Sequence, residues 1–290
     1  MFCRVIIPVI YTWTELGNIG IGGKISQMLE PAYLFIDGGH LRAHYGRTVR
    51  EWFGSDGAID FEKLKSKMGA FKLFYYDCID DEPRRWEDEA TGRARIARQR
   101  AMLDSIQEIV GAHVREGSMT GQKQRRQKEV DILLAVEMMN HAICKNMARA
   151  VLLAGDRDFR PVVESLVQMG TFVVVVGDKA HMSRELVKAA DSSILFAFDD
   201  YFELSMPSFQ ADYPLPVSHQ MGYNDGFFEG VAVAQGELDD GRIVTISAPD
   251  MYRAYVPTGD TRTAYTFDYK DARRLKLYIK LRFGEVNWMA

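Results

Sequence analysis

Short apolar runs alternate with helical segments across residues 32–199, and this alternation constrains the fold more than any other feature of the chain. The apolar runs predict strands at residues 33–37, 71–76, 112–115, 150–154, 171–176 and 193–198. The segments between them predict helices at about 60–69, 93–110, 130–146, 159–169 and 183–190. Strands that are apolar on both faces and alternate with helices are typical of a parallel sheet covered on both sides. We therefore predict an α/β fold.

The character of the sequence changes after about residue 200. Residues 191–240 contain ten Asp or Glu and no Lys or Arg. Short segments beyond them predict strands at 231–234, 242–246, 264–267 and 275–281. The chain is accordingly expected to have three parts: an N-terminal extension (1–31), an α/β domain (32–204) and a small β-rich C-terminal appendage (205–290).

Composition excludes several classes of protein. The three cysteines, Cys3, Cys78 and Cys144, are far apart and form no CxxC pair, which argues against a disulfide framework or a zinc site. No apolar run reaches the roughly 18 residues of a membrane-spanning helix, and the N-terminus is a poor signal peptide. A cytoplasmic protein without a membrane partner is expected. Because no GxxxxGK[ST] loop is present, a P-loop nucleotide triphosphatase is not supported.

Three aspartates lie at the ends of two predicted strands, and a fourth lies at the start of a predicted helix. Asp37 closes the first strand, Asp156 and Asp158 follow the fourth, and Asp131 begins an apolar helix. Each has an ordinary structural role available to it: a helix cap or Asx-turn for Asp37, a cap for Asp158, and a first-turn acid interacting with the helix dipole for Asp131. A cap does not account for both Asp156 and Asp158, because like charges this close repel unless a cation or hydrogen bonds offset them.

Taken as a set, these aspartates indicate a metal site. Ligands of parallel α/β sheets bind at the carboxyl ends of the strands, where three of these residues fall. Carboxylate oxygens suit Mg²⁺ or Mn²⁺. Such ions activate a water and stabilise the attacking and leaving oxygens of a phosphodiester displacement. The sequence therefore favours phosphoryl chemistry at this edge of the sheet.

Several segments, in the same order, resemble the NYN domain, a PIN-like nuclease fold that includes the LabA-like branch. They are residues 33–41 (YLFIDGGHL), 128–131 (KEVD), 152–162 (LLAGDRDFRPV), 170–177 (GTFVVVVG) and 183–186 (SREL) with Ala190 and Asp191. The resemblance covers about residues 32–199. It implies a three-layer α/β/α fold with a mostly parallel sheet and a metal-dependent ribonuclease site. It also implies that the metal ligands and catalytic residues are Asp37, Asp131, Asp156 and Asp158.

Three positions depart from the family pattern. The family usually has Asn where this chain has His40, often has Asp where it has Glu137, and favours a small residue where it has Arg157. His40 keeps a side chain that can form hydrogen bonds, so we expect it to tune the site rather than abolish it.

Basic residues lie close to the predicted carboxylate site. Residues 84–128 hold eleven Lys or Arg against six Asp or Glu, and Arg125, Arg126 and Lys128 lead directly into Asp131. Cations beside acids allow a phosphate to approach, although a solvated helix face and loop would account for part of this charge. We predict that the nucleic-acid-binding residues are Arg125, Arg126, Lys128, His40 and Arg157. Aromatic candidates for base stacking are Tyr45, Trp52, Phe53 and Trp86.

Three functions remain open from the sequence. The first is a Mg²⁺- or Mn²⁺-dependent endoribonuclease acting on single-stranded or structured RNA and leaving a 5′-phosphate. The second is a non-catalytic RNA-binding or assembly module, which the departures at His40 and Arg157 suggest. The third is another metal-dependent phosphotransfer enzyme, such as a phosphatase or a Toprim-type domain. Whether the chain forms a homo-oligomer is also left open.

Overall fold

A parallel sheet of seven strands forms the centre of the first of two units. In this computed structural model the described residues are 9–11, 31–54, 56–79, 86–117, 130–178, 180–222, 231–248, 251–259 and 263–289. The strands are β1 (Val9–Tyr11), β2 (Ala32–Asp37), β3 (Lys72–Cys78), β4 (Ala112–Gly117), β5 (Arg149–Leu153), β6 (Phe172–Asp178) and β7 (Ser192–Phe196). Their order is β1-β7-β6-β5-β2-β3-β4, and every neighbouring pair is parallel. The predicted α/β class is confirmed.

Helices cover both faces of this sheet. They are α1 (Gly38–Phe53), α2 (Phe61–Lys67), α3 (Glu89–Gln107), α4 (Val130–Ile143), α5 (Arg160–Gln168) and α6 (Arg184–Ala189). On one face, Phe35 and its neighbours pack in a core cluster with Leu134 of α4 and Val163 of α5. On the other face, the Tyr75 ring contacts Phe61 of α2 at 5.4 Å between ring centroids. The three-layer arrangement follows from this packing.

Helix α1 was not predicted from the sequence. Gly38, Gly39 and Gly46 lower its intrinsic helix propensity, since glycine costs about 1 kcal/mol relative to alanine inside a helix. Burial of Leu41 and Tyr45, one turn apart, overrides that propensity. A Cβ at Gly38 would lie 2.6 Å from the Tyr75 ring and 2.7 Å from the carbonyl oxygen of Tyr76. Glycine is therefore required where α1 begins against β3.

The second unit comprises residues 48–58 and 197–290 and contains an antiparallel sheet. Its strands are β8 (Val217–Gly222), β9 (Ala232–Leu238), β10 (Ile243–Ser247), β11 (Tyr252–Pro257), β12 (Thr263–Tyr269) and β13 (Val286–Trp288), in the order β13-β9-β10-β11-β12-β8. Its helices are α7 (Phe198–Glu203), α8 (Pro207–Asp212) and α9 (Ala272–Phe283). The predicted β-rich C-terminal region is confirmed, whereas the boundaries 1–31, 32–204 and 205–290 stay predictions.

The predicted strand at 275–281 is wrong, because this segment lies inside α9. Its alternation of apolar and charged residues also satisfies a helix that buries Leu275, Tyr278 and Ile279 at intervals of three and four residues. Asp271 caps the helix by accepting hydrogen bonds from the backbone N–H groups of Arg273 and Arg274. Within the described part of the chain, none of the helices is long and apolar enough to cross a membrane.

Candidate active site

The predicted aspartates lie at the point where the direction of the chain across the sheet reverses. From β2 the chain proceeds to β3 and β4 on one side, and β5, β6 and β7 then follow on the other side of β2. The carboxyl ends of β2 and β5 therefore flank a topological switch point, which is where open α/β sheets bind their ligands. Asp37 ends β2, and Asp156 and Asp158 follow β5.

Asp37 is held by the start of α1 but has an unfavourable electrostatic environment. Its Oδ1 accepts a hydrogen bond from the backbone N–H of His40 at 3.0 Å. Burial raises the pKa of Asp37 to about 6; the His40 hydrogen bond opposes this rise, and the charges of Asp131 and Asp77 add to it. In the described ranges no Lys or Arg pairs with this carboxylate. Capping therefore accounts for the position of Asp37 but leaves its charge uncompensated.

Asp156 and Asp158 occupy a single turn after β5. Asp156, rather than Asp158, is the cap: its Oδ1 accepts a hydrogen bond from the backbone N–H of Asp158 at 2.9 Å, at the start of the 3-10 turn Arg157–Phe159. Both carboxylates and Arg157 are exposed. The turn thus fixes Asp156 locally and leaves Asp158 without a capping role.

Asp131 joins these two groups electrostatically. It lies in the first turn of α4, and partial burial together with the charges of Asp156 and Asp158 raises its pKa. Asp131 in turn raises the pKa of Asp37. Asp131 is therefore close enough to each of the other three aspartates to repel it. Among described residues, however, the only three potential ligand atoms found within 4.8 Å of one another belong to His44, Asp178 and His181.

Two other acids near this edge have internal partners. Asp77, fully buried in β3, accepts hydrogen bonds from the Arg42 guanidinium at 2.6 Å, from Gln99 at 3.2 Å and from the backbone N–H of Cys78 at 2.7 Å. Glu137 of α4 accepts hydrogen bonds from Tyr76 at 2.7 Å and from the Arg115 guanidinium at 2.8 and 3.0 Å. These acids are structural.

A histidine cluster that sequence reasoning missed adjoins the aspartates. The His44 ring lies 4.4 Å from that of His40 and 4.5 Å from that of His181, between centroids. The His40 ring fits beside Gly155 and Gly177, where a Cβ would lie 2.4 Å and 3.4 Å from its atoms. The sequence signal for this cluster was the i, i+4 pair His40 and His44, in a helix that was not predicted.

The predicted nucleic-acid-binding residues are only partly described. Arg125, Arg126 and Lys128 lie outside the described residues, whereas Arg157 is exposed beside Asp156. The stacking hypothesis is wrong for three aromatic residues that are buried in the protein: Tyr45, Trp52 and Phe53. Trp86 is 80% exposed and stays a candidate for base stacking.

The chain is similar to known proteins at two levels. The family model described as "NYN domain" matches residues 31–197. The chain is also similar to a crystal structure of a protein of unknown function from Vibrio parahaemolyticus, at 19% sequence identity and a TM-score of 0.39. The alignment covers 61% of this chain and 96% of the Vibrio chain. No curated protein matches the chain. Since the family match covers more than half of the 290 residues, the chain belongs to the NYN domain family, whose members have a nuclease-like PIN fold.

Proposed function

We propose that this protein is a metal-dependent endoribonuclease that hydrolyses RNA phosphodiester bonds. The aspartates at the switch point, Asp37, Asp131, Asp156 and Asp158, would hold Mg²⁺ or Mn²⁺. The observation that carries the proposal is that Asp37 and Asp131 have no internal counter-cation in the described ranges. Burial raises the pKa of each, and the charges of neighbouring aspartates add to the rise. The NYN match over residues 31–197 supports a nuclease.

The donor set fits a hard divalent cation. All four side chains offer oxygen, which Mg²⁺ and Mn²⁺ prefer, and none offers sulfur or nitrogen. A half-buried carboxylate with a raised pKa, such as Asp37, gains most from a nearby positive charge. A cation between β2 and the turn after β5 would offset the repulsion that Asp131 experiences from Asp156 and Asp158.

Each part of the site has a separate task. The His40 backbone N–H orients Asp37, and the Asp158 backbone N–H orients Asp156, so two carboxylates are positioned before the ion binds. When bound, the ion supplies the positive charge that a phosphodiester needs at this acidic edge and lowers the pKa of the attacking water. Arg157, His40 and the residues Arg125, Arg126 and Lys128 are proposed to hold the RNA through its phosphates.

The test is cleavage of end-labelled single-stranded RNA with Mg²⁺, with Mn²⁺ and with a chelator. The wild type should cleave only with metal. Asp156→Asn should lower the rate by about a thousandfold, the value of several kcal/mol of transition-state stabilisation. Asp212→Asn, an exposed aspartate of the second unit, is the matched control and should cleave like the wild type. Cleavage in the chelator, or a fully active Asp156→Asn, would refute the proposal.

A non-catalytic RNA-binding module is the second candidate. The observation that favours it is the spacing of the four carboxylates. Among the described residues, no three of them have ligand atoms within 4.8 Å of one another. The same assay separates the two functions. Retention of the labelled RNA in a gel-shift experiment, without cleavage in either metal, would support the binding module.

A further inference from the structure

We propose that His44, Asp178 and His181 form a second metal site, which binds Zn²⁺ rather than Mg²⁺. The three residues each offer a ligand atom, and these atoms lie within 4.8 Å of one another. The site belongs wholly to the first unit and uses none of the four aspartates assigned to the nuclease centre. The spacing of the cysteines argues only against a zinc site with cysteine ligands. A zinc site with histidine ligands is compatible with it.

Three separate elements position the ligands. His44 is buried in the second turn of α1, and Asp178 ends β6. His181 follows β6 closely in the sequence, and the backbone N–H groups of His181 and Met182 both donate to the Asp178 carbonyl oxygen. The N–H of Ala180 donates to Asp178 Oδ1 at 3.0 Å. The carboxylate and the second imidazole are therefore held close together before any ion binds.

The hydrogen bonds of His181 define what an ion would replace. Its Nε2 lies 2.9 Å from Arg47 Nη1, and its Nδ1 lies 2.6 Å from Asp178 Oδ1. Because a guanidinium only donates, Nε2 accepts and Nδ1 carries the proton directed at Asp178. An ion that joins His181 to Asp178 takes the place of this proton, as metal ions do when they bind protonated ligands.

The ligand set selects the metal. Two imidazoles and one carboxylate, with further positions left to water, suit Zn²⁺ and related transition-metal ions, whereas Mg²⁺ requires oxygen ligands. A histidine must be neutral to bind a metal, and burial lowers the pKa of His44. Zn²⁺ is therefore expected to bind here in the presence of excess Mg²⁺.

An ion at this site would link α1 to the turn after β6 next to the nuclease centre. His40 lies one turn before His44, its ring contacts that of His44, and its backbone N–H holds Asp37. Fixing His44 thus fixes the helix start that orients Asp37. The second site is proposed to stabilise the fold and the position of α1, with no part in the chemical step.

The experiment is calorimetric titration of the metal-stripped, full-length protein with Zn²⁺ in excess Mg²⁺. The wild type should bind one equivalent at this site, and Zn²⁺ should raise its melting temperature because it binds the folded state. His181→Gln should lose affinity by at least about a hundredfold, since even a residue that only orients a ligand contributes tenfold to a hundredfold. His219→Gln, an exposed histidine of the second unit, should bind like the wild type.

Two further variants distinguish this site from the nuclease centre. Asp156→Asn should retain the Zn²⁺ equivalent, because the nuclease centre is separate. Asp178→Asn should lose it, as a second measurement beside His181→Gln, and circular dichroism of both variants establishes that they fold. The proposal is overturned if folded His181→Gln binds Zn²⁺ as tightly as the wild type, if the wild type binds none, or if Asp156→Asn alone loses the ion.

Discussion

Two groups of acids at the carboxyl edge of the parallel sheet differ in how their charge is balanced. Asp77 in β3 and Glu137 in α4 are paired with the guanidinium groups of Arg42 and Arg115. Asp37, at the end of the neighbouring strand β2, and Asp131 have no such partner within the described ranges, and their pKa values are raised. The two groups occupy the same edge of one sheet.

We interpret the difference as one between structural acids and proposed metal ligands. A buried carboxylate costs several kcal/mol unless it is paired, and Asp77 meets that requirement from within the chain. Asp37 meets it only in part, through one backbone N–H, so the fold carries an electrostatic cost at this point. An external cation would relieve that cost, so the comparison supports the proposed metal site around Asp37 and gives no reason for one around Asp77.

Removal of Asp77 should have the largest effect on stability. Asp77→Ala removes the carboxylate that accepts hydrogen bonds from the Arg42 guanidinium and the Gln99 amide, so the free energy of unfolding should fall by about 3 kcal/mol. Urea denaturation followed by circular dichroism measures this change. Asp104→Ala, at an exposed position of α3, is the control and should change the value by less than about 0.5 kcal/mol. An Asp77→Ala protein as stable as this control would show that the pairing is not structural.

Replacement of Asp37 should change the free energy of unfolding in the opposite direction. Its folded pKa of about 6 lies above the ordinary value of 3.8, so folding favours the protonated form. The stability that this group contributes is present below about pH 4 and is lost as the pH rises through about 6. Asp37→Asn, which stays neutral, should therefore stabilise the metal-free protein at pH 7 by on the order of 2 kcal/mol while abolishing cleavage.

Denaturation of metal-free wild type and Asp37→Asn at a series of pH values tests this expectation. The two stability curves should converge near pH 4, diverge as the pH rises from about 4 to about 6, and stay apart by a constant amount above that. Addition of Mg²⁺ should stabilise the wild type more than Asp37→Asn, because only the wild type has the full ligand set. A variant that is less stable than the wild type at every pH would mean that Asp37 is a structural acid like Asp77.

Sequence reasoning predicted the parts of this edge that depend on local patterns. The apolar runs predicted the strands of the parallel sheet from β2 to β7, and the strand ends predicted where Asp37 and Asp156 would lie. The pairing of acids with cations could not be predicted, because Asp77 and Arg42 are 35 residues apart and come together only through the packing of α1 on β3. The histidine site was missed for the same reason, since His44 in α1 and His181 after β6 are far apart in the sequence and meet only in the folded chain.

Replacement of Glu137 should have the smallest effect on stability. This variant tests the comparison between paired and unpaired acids most closely, because the unpaired Asp131 lies on the same helix. Burial would raise the pKa of Glu137, but the hydrogen bonds from Arg115 and Tyr76 outweigh burial and lower it. Its contribution to stability is therefore present above the ordinary pKa of 4.5 and is lost as the pH falls below it. Glu137→Gln should cost about 1 kcal/mol at pH 7, and less at low pH, with RNA cleavage unchanged.

Asp131→Asn is the matched variant, and it should lower cleavage strongly without loss of stability, because it removes repulsion rather than a partner. The two variants therefore separate the roles of two acids six residues apart in α4. Cleavage rates and urea denaturation curves measured on both proteins provide the comparison. Equal losses of cleavage in Glu137→Gln and Asp131→Asn would place Glu137 in the active site. The distinction between paired and unpaired acids would then fail as a guide to which carboxylates bind the metal.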